Sequence, residues 1–70
     1  MLETMPISEK LKMLRDRRGL TLDELAERTG LSRSALSNYE TNESKEVSQF
    51  ALVTLAKFYG VSTDYLLGLS

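Results

Sequence analysis

Apolar side chains recur along this chain at helical spacing. Ile7, Leu11 and Leu14 fall at i, i+4 and i+7, which is one face of a helix. Gly19 follows as a residue that accepts the left-handed backbone and so ends that helix. Thr21-Leu22-Asp23-Glu24 reads as a capping box, in which the Thr21 and Glu24 side chains satisfy free backbone N–H groups reciprocally. Leu20 before the cap and Leu25 after it form the accompanying hydrophobic staple, and Gly30 stops this second helix after about two turns. Ser32 then caps a third helix, with Leu31 and Leu36 as its staple. A fourth, from about residue 48 to 59, buries Leu52, Leu55, Ala56 and Tyr59. Gly60 ends it, Ser62 caps a short fifth helix, and Leu66 and Leu67 close the core. No alternating apolar–polar run competes for strands, and no internal repeat is visible. The expectation is an all-α fold, a bundle of about five short helices forming one domain over residues 1–70.

Only Gly30, Leu31 and Ser32 separate the second and third helices. So short a turn makes them cross steeply over a shared core, and Ala26 is the small side chain that a close crossing needs. On the third helix, Ala35, Leu36 and Tyr39 cluster on one side at about 100° per residue. Arg33, Ser34, Ser37, Asn38 and Thr41 cluster on the other. That outer face is short-chained, hydrogen-bonding and free of acid, whereas an ordinary solvated face mixes Glu with Lys. Arg33 can reach guanine O6 and N7 with two bonds, and Asn38 can do the same for adenine N6 and N7. A merely exposed, serine-rich helix stands beside this reading as long as composition alone is considered.

The residue inventory narrows the function. A chain of 70 residues buries only about 60% of its unfolded surface, leaving little room for a pocket. It has no cysteine and no histidine, which removes disulfides, the usual metal ligands and the Ser-His and Cys-His nucleophile pairs. An enzyme, a metal, a cofactor and a small-molecule ligand are therefore not expected. Asp23, Glu24 and Glu27 read as ordinary first-turn and surface acids rather than a catalytic dyad. Met1-Leu2-Glu3-Thr4-Met5-Pro6 lacks the basic start and apolar run of a signal peptide, and no segment approaches the ~20 apolar residues of a membrane span. A cytoplasmic protein is the expectation.

Charge pulls in two directions. The net charge is −1 and the pI near 5.3, unfavourable for a molecule that must neutralise phosphates. Yet Lys10, Lys12, Arg15, Arg17 and Arg18 crowd one stretch, with Arg28 and Arg33 following. Residues 10–18 read either as a phosphate-facing patch or, no less well, as a solvated helix face.

The stretch 21–40, TLDELAERTGLSRSALSNYE, resembles the Cro and phage-repressor (XRE) helix-turn-helix family. Leu25, Ala26, Gly30, Leu31, Leu36 and Tyr39 fall where that motif places its core and turn residues. KLKMLRDRRGLT and LAKFYGVSTDYLLG resemble the first and closing helices, so nearly the whole chain is covered. The resemblance implies a lambda-repressor-like DNA-binding domain and a sequence-specific transcriptional regulator, most naturally a repressor. Its motif would span about residues 21–40, with a recognition helix at about 32–41 in the major groove. Arg33, Ser34, Ser37 and Asn38 would then face bases. Thr21 and the backbone N–H of Leu22 would meet one phosphate, and Thr41, Asn42 and Lys45 the other strand. The family also implies a partly buried ion pair between Arg15 and Glu40, each at the rim of its helix's apolar arc. Two features depart from the family pattern. Leu22 stands where Gln is usual, and the loop after Thr41 carries Glu43 and Glu46 instead of the usual basic residues and Pro. Both point to weaker nonspecific binding.

A single motif of this size reads only a few base pairs. The expected working unit is therefore a homodimer on double-stranded DNA with a near-palindromic operator. Phe50, Val53, Leu67 and Leu69 are the apolar side chains available for that contact. Phe50 and Val53 lie off the main stripe of the fourth helix, and filling the core against Met1, Leu2 and Met5 is the first reading for them. The competing functional class is an antitoxin or other protein-interaction module on the same fold, but no extra arm for such a partner is visible. The chain stops soon after the DNA-binding core, so no sensory domain is expected within it.

Overall fold

A computed structural model describes residues 5–41 and 47–68. Five helices follow one another: α1 (Ile7–Arg18), α2 (Leu22–Thr29), α3 (Arg33–Thr41), α4 (Gln49–Tyr59) and α5 (Thr63–Leu67). There is no strand among the described residues. No helix among them is long and apolar enough to cross a membrane.

The helix ends explain why this sequence breaks where it does. The Thr21 hydroxyl accepts from the Glu24 N–H at 3.1 Å while the Glu24 carboxylate accepts from the Thr21 N–H at 2.8 Å, so the capping box is closed. Ser32, Ser48 and Ser62 each accept from the backbone N–H three residues on. The C-termini differ. Helices α1 and α4 end in the two-bond motif, with Leu20 N–H on the Arg15 carbonyl and Val61 N–H on that of Ala56. At α2 only the Gly30 N–H bonds back, to Ala26, and the next donor, Leu31 N–H, goes to the Thr29 hydroxyl at 3.3 Å. The connection to α3 is nonetheless three residues long, like those from α1 to α2 and from α4 to α5. Gly30 sits at φ +80° with nothing within 4 Å of where a Cβ would lie. Its side chain is excluded by backbone conformation rather than by space.

Every helix contributes to one core: Leu11 from α1, Leu25 from α2, Leu36 from α3, Leu55, Ala56 and Tyr59 from α4, and Leu66 from α5. Leu20, Leu31 and Ala26 pack against its edge, as the staples and the close crossing require. Helix α1 packs on α3 and α5, α2 on α3 and α4, and α4 on α5.

Three core expectations are corrected. Ala51 is buried at 1% exposure, whereas Leu52 is only half-buried. The inner stripe of α4 is Ala51, Leu55 and Tyr59, and a small alanine gave little signal of it. Leu67 is 51% exposed beside a fully buried Leu66, because adjacent residues of a short helix diverge by about 100° and only one can point inward. Phe50 is 72% exposed and Val53 37%, so neither fills the core. Met1 and Leu2, the expected partners of that packing, lie outside the described residues.

Candidate nucleic-acid interface

The outer face of α3 carries the side chains singled out from the sequence. Arg33, Ser34, Asn38 and Thr41 are exposed and Ser37 is half-buried, while Leu36 and Glu40 on the opposite side are buried. The short crossing at Gly30 to Ser32 fixes how α3 lies on α2. A second anchor holds its far end: Arg15 grips the Glu40 carboxylate through Nε at 2.9 Å and through Nη2 at 3.0 Å. The same guanidinium donates from Nη1 to the Leu20 carbonyl at 2.7 Å. One arginine thus ties α1, the α1–α2 turn and the last turn of α3 together. The Arg15 pKa is raised, first by its bond to Glu40. Both ends of α3 are therefore tied to the rest of the fold.

The cationic stretch 10–18 is only in part the solvated face its sequence suggests. Lys10 is buried, with Nζ donating to the Tyr65 carbonyl at 2.7 Å and lying 4.8 Å from the centre of the Tyr65 ring. Arg18 donates to the Tyr59 carbonyl at 2.9 Å and stacks near the Phe58 and Tyr59 rings. These two cations sit on the last turns of α5 and α4, where the helix dipole favours positive charge, and the Tyr65 carbonyl takes Lys10 as a second donor beside the Gly68 N–H. With Arg15 taken by Glu40, three of the five serve the fold. Only Lys12, in a solvated 3.4 Å pair with Asp16, and Arg17 match the solvated-face reading.

The expected phosphate contacts fare unevenly. Thr21 Oγ1 accepts from Glu24 N–H, which leaves its own proton free to donate outward. Glu24 beside it is held below the usual carboxylate range, chiefly by its bond from the Thr21 N–H. A phosphate at this helix end therefore meets a charged carboxylate as well as free N–H groups. Thr41 donates its hydroxyl to the Ser37 carbonyl at 2.9 Å and must turn away from it to reach a phosphate. Asn42 and Lys45 lie outside the described residues.

One contact had no signal in the sequence. Asp23, read as an ordinary first-turn acid, lies 2.8 Å from Arg33 Nε across the turn. No periodicity reports a pairing between the starts of two successive helices, because it depends on how they cross.

Comparison with known proteins agrees with this fold. Residues 11–66 match the sequence pattern of the helix-turn-helix family. The chain belongs to that family, in its Cro and phage-repressor branch. This helix-turn-helix chain is 44% identical over 62 residues to the uncharacterized HTH-type transcriptional regulator YobD of Bacillus subtilis, covering 89% of this chain and 54% of that protein. It is 39% identical over 64 residues to the HTH-type transcriptional regulator ImmR of the same organism, covering 91% and 50%. The HTH-type transcriptional activator BcrR of Enterococcus faecalis shares 36% over 63 residues, covering 90% and 30%. The chain thus spans about half the length of the first two relatives and less of the third. These relatives are named for transcriptional regulation, and none of the names describes an enzyme.

Proposed function

We propose that this chain is a sequence-specific DNA-binding transcriptional regulator that works in the cytoplasm as one unit over residues 1–70, reading the major groove with α3. The observation that carries this reading is the outer face of α3, acid-free and short-chained, held at both ends by the tight turn and by Arg15–Glu40. Arg33 and Asn38 read guanine and adenine edges through paired bonds, and Ser34 and Ser37 make the shorter-reach contacts. Thr21 and the Leu22 N–H hold one phosphate strand, and Thr41, Asn42 and Lys45 the other. Repression follows from occupying a promoter, although one relative is named as an activator, so the sign belongs to where the operator lies.

The working unit is a symmetric homodimer on a near-palindromic operator, its half-sites about one helical turn, ~34 Å, apart. The exposed Phe50, Val53 and Leu67 support this, since they lie on α4 and α5 with no core role. Leu69, the fourth residue expected there, lies outside the described residues. No observation favours an antitoxin-like docking module.

Selection from a randomised duplex library tests the proposal, followed by band shifts on the recovered sequence and a scrambled one at low and moderate salt. Preferential binding of the selected duplex supports it, and no binding to any duplex at low salt refutes it. Titration with one-half-site and two-half-site duplexes decides the dimer, which requires cooperative binding to the second.

A further inference from the structure

We infer that Asp23 is a specificity-determining positioning residue, holding Arg33 so that it reads a guanine instead of gripping phosphates. The inference rests on the base-reading role proposed for Arg33. Its basis is the way the two residues meet. Asp23 Oδ1 lies 2.8 Å from Nε of Arg33. Nε belongs to the side edge of the guanidinium, and the end edge formed by the two terminal nitrogens is left free. That end edge is the one that matches guanine O6 and N7 with two parallel bonds. Asp23 therefore occupies the arginine without blocking the contact it makes. A carboxylate seated on the terminal nitrogens would have done the opposite.

The pair also changes what Arg33 does near DNA. A lone arginine on a flexible stem is drawn to the nearest phosphate, a contact that carries no sequence information. Asp23 offsets part of that pull and places a like charge where a phosphate would approach. Both side chains are open to water, at 62% and 80% exposure, so the pair is weak in the free protein. Docking against DNA removes that water and strengthens it. No other acidic group among the described residues pairs with Arg33, so the device stands on this one carboxylate. Lys10, Arg15 and Arg18 do not replace Arg33 as readers, because they are spent on the fold.

The test compares the wild-type chain with Asp23→Asn, Arg33→Ala and the double variant. Each is titrated with the library-selected duplex, with three duplexes in which the guanine lost on Arg33→Ala is replaced by another base, and with scrambled DNA. Asn keeps the shape of Asp but gives up its favourable charge near the helix N-terminus, a small loss, and melting temperature checks that the fold is retained. The expected result is that Asp23→Asn lowers discrimination at that guanine by about three- to tenfold. It also strengthens binding to scrambled DNA by about two- to fivefold, with a salt slope steeper by roughly one. In the Arg33→Ala background the same change leaves discrimination at that position unaltered. If Asp23→Asn tightens all duplexes by one common factor, the carboxylate acts only by repulsion and the inference is overturned. If Arg33→Ala itself relaxes no base pair, the base-reading role has failed and the inference falls with it. Absence of any selected duplex instead sinks the DNA-binding reading as a whole.

Discussion

Residues 10–18 of α1 and the outer face of α3 make an instructive pair. The first holds five cations and the second only one. On charge alone, α1 is the surface that should meet DNA. The structure gives most of the α1 cations other partners. Lys10, Arg15 and Arg18 turn onto carbonyls and a carboxylate of other helices, while α3 presents one arginine among serines, an asparagine and a threonine. In a domain this small the helix C-termini cannot all be covered by apolar packing, and long cationic side chains are the residues able to reach them. A cluster of like charge in a sequence can therefore be a set of separate structural anchors, whereas a reading surface needs short side chains and few acids.

The sharpest way to break this contrast is at Glu40. Its side chain is 5% exposed and that of Arg15 14%, so Glu40→Gln leaves a half-buried guanidinium with only the exposed Asp16 carboxylate, 3.9 Å away, as counter-charge. The expected cost is about 3–5 kcal/mol, enough to unfold much of so small a domain at ambient temperature. Thermal melting by circular dichroism measures it, and an unchanged melting temperature would mean that the anchor does not hold α3.

Lys10→Met against Arg33→Ala sharpens the comparison further. Lys10→Met keeps the apolar stem but removes a charged bond to the Tyr65 carbonyl, at a cost in stability of about 1–3 kcal/mol. DNA affinity per folded molecule should stay as it was. Arg33→Ala should do the reverse, losing about 1–3 kcal/mol of operator binding at an unaltered melting temperature. A loss of DNA affinity by well-folded Lys10→Met would restore α1 to the interface.

Tyr59 offers a smaller effect of opposite sign. Its hydroxyl is buried and has no hydrogen-bond partner among the described residues. Burial first, and then the charge of Glu40, push its pKa from 10.0 up to about 12. Because the folded value is the higher one, the stability linked to this group is intact below pH 10 and drains away as pH rises towards 12. Tyr59→Phe should raise stability at neutral pH by about 1 kcal/mol and flatten the loss between pH 10 and 12, as alkaline melting curves will show. The smallest effect belongs to Arg17, exposed and outside both sets of anchors. Arg17→Ala should leave melting temperature and operator binding unchanged, and a clear loss of DNA affinity would place part of α1 on the phosphates.

Local chemistry made most of the fold legible in the sequence. Caps at Thr21, Ser32 and Ser62, and glycines at 19, 30 and 60, act within three or four residues. Their outcome does not depend on the rest of the molecule. The same holds for the outer face of α3, since helical periodicity alone separates Arg33, Ser34, Ser37 and Asn38 from Leu36. Pairing Arg15 with Glu40 required the family resemblance, because twenty-five residues separate them. Only the tertiary structure decided what depends on how helices pack. It laid Lys10 and Arg18 across the ends of α5 and α4, and it left Phe50 and Leu67 outside. It also brought Asp23 to Arg33. Such choices are set by distances between elements far apart in the chain, and a one-dimensional pattern of apolar and polar residues carries no measure of them.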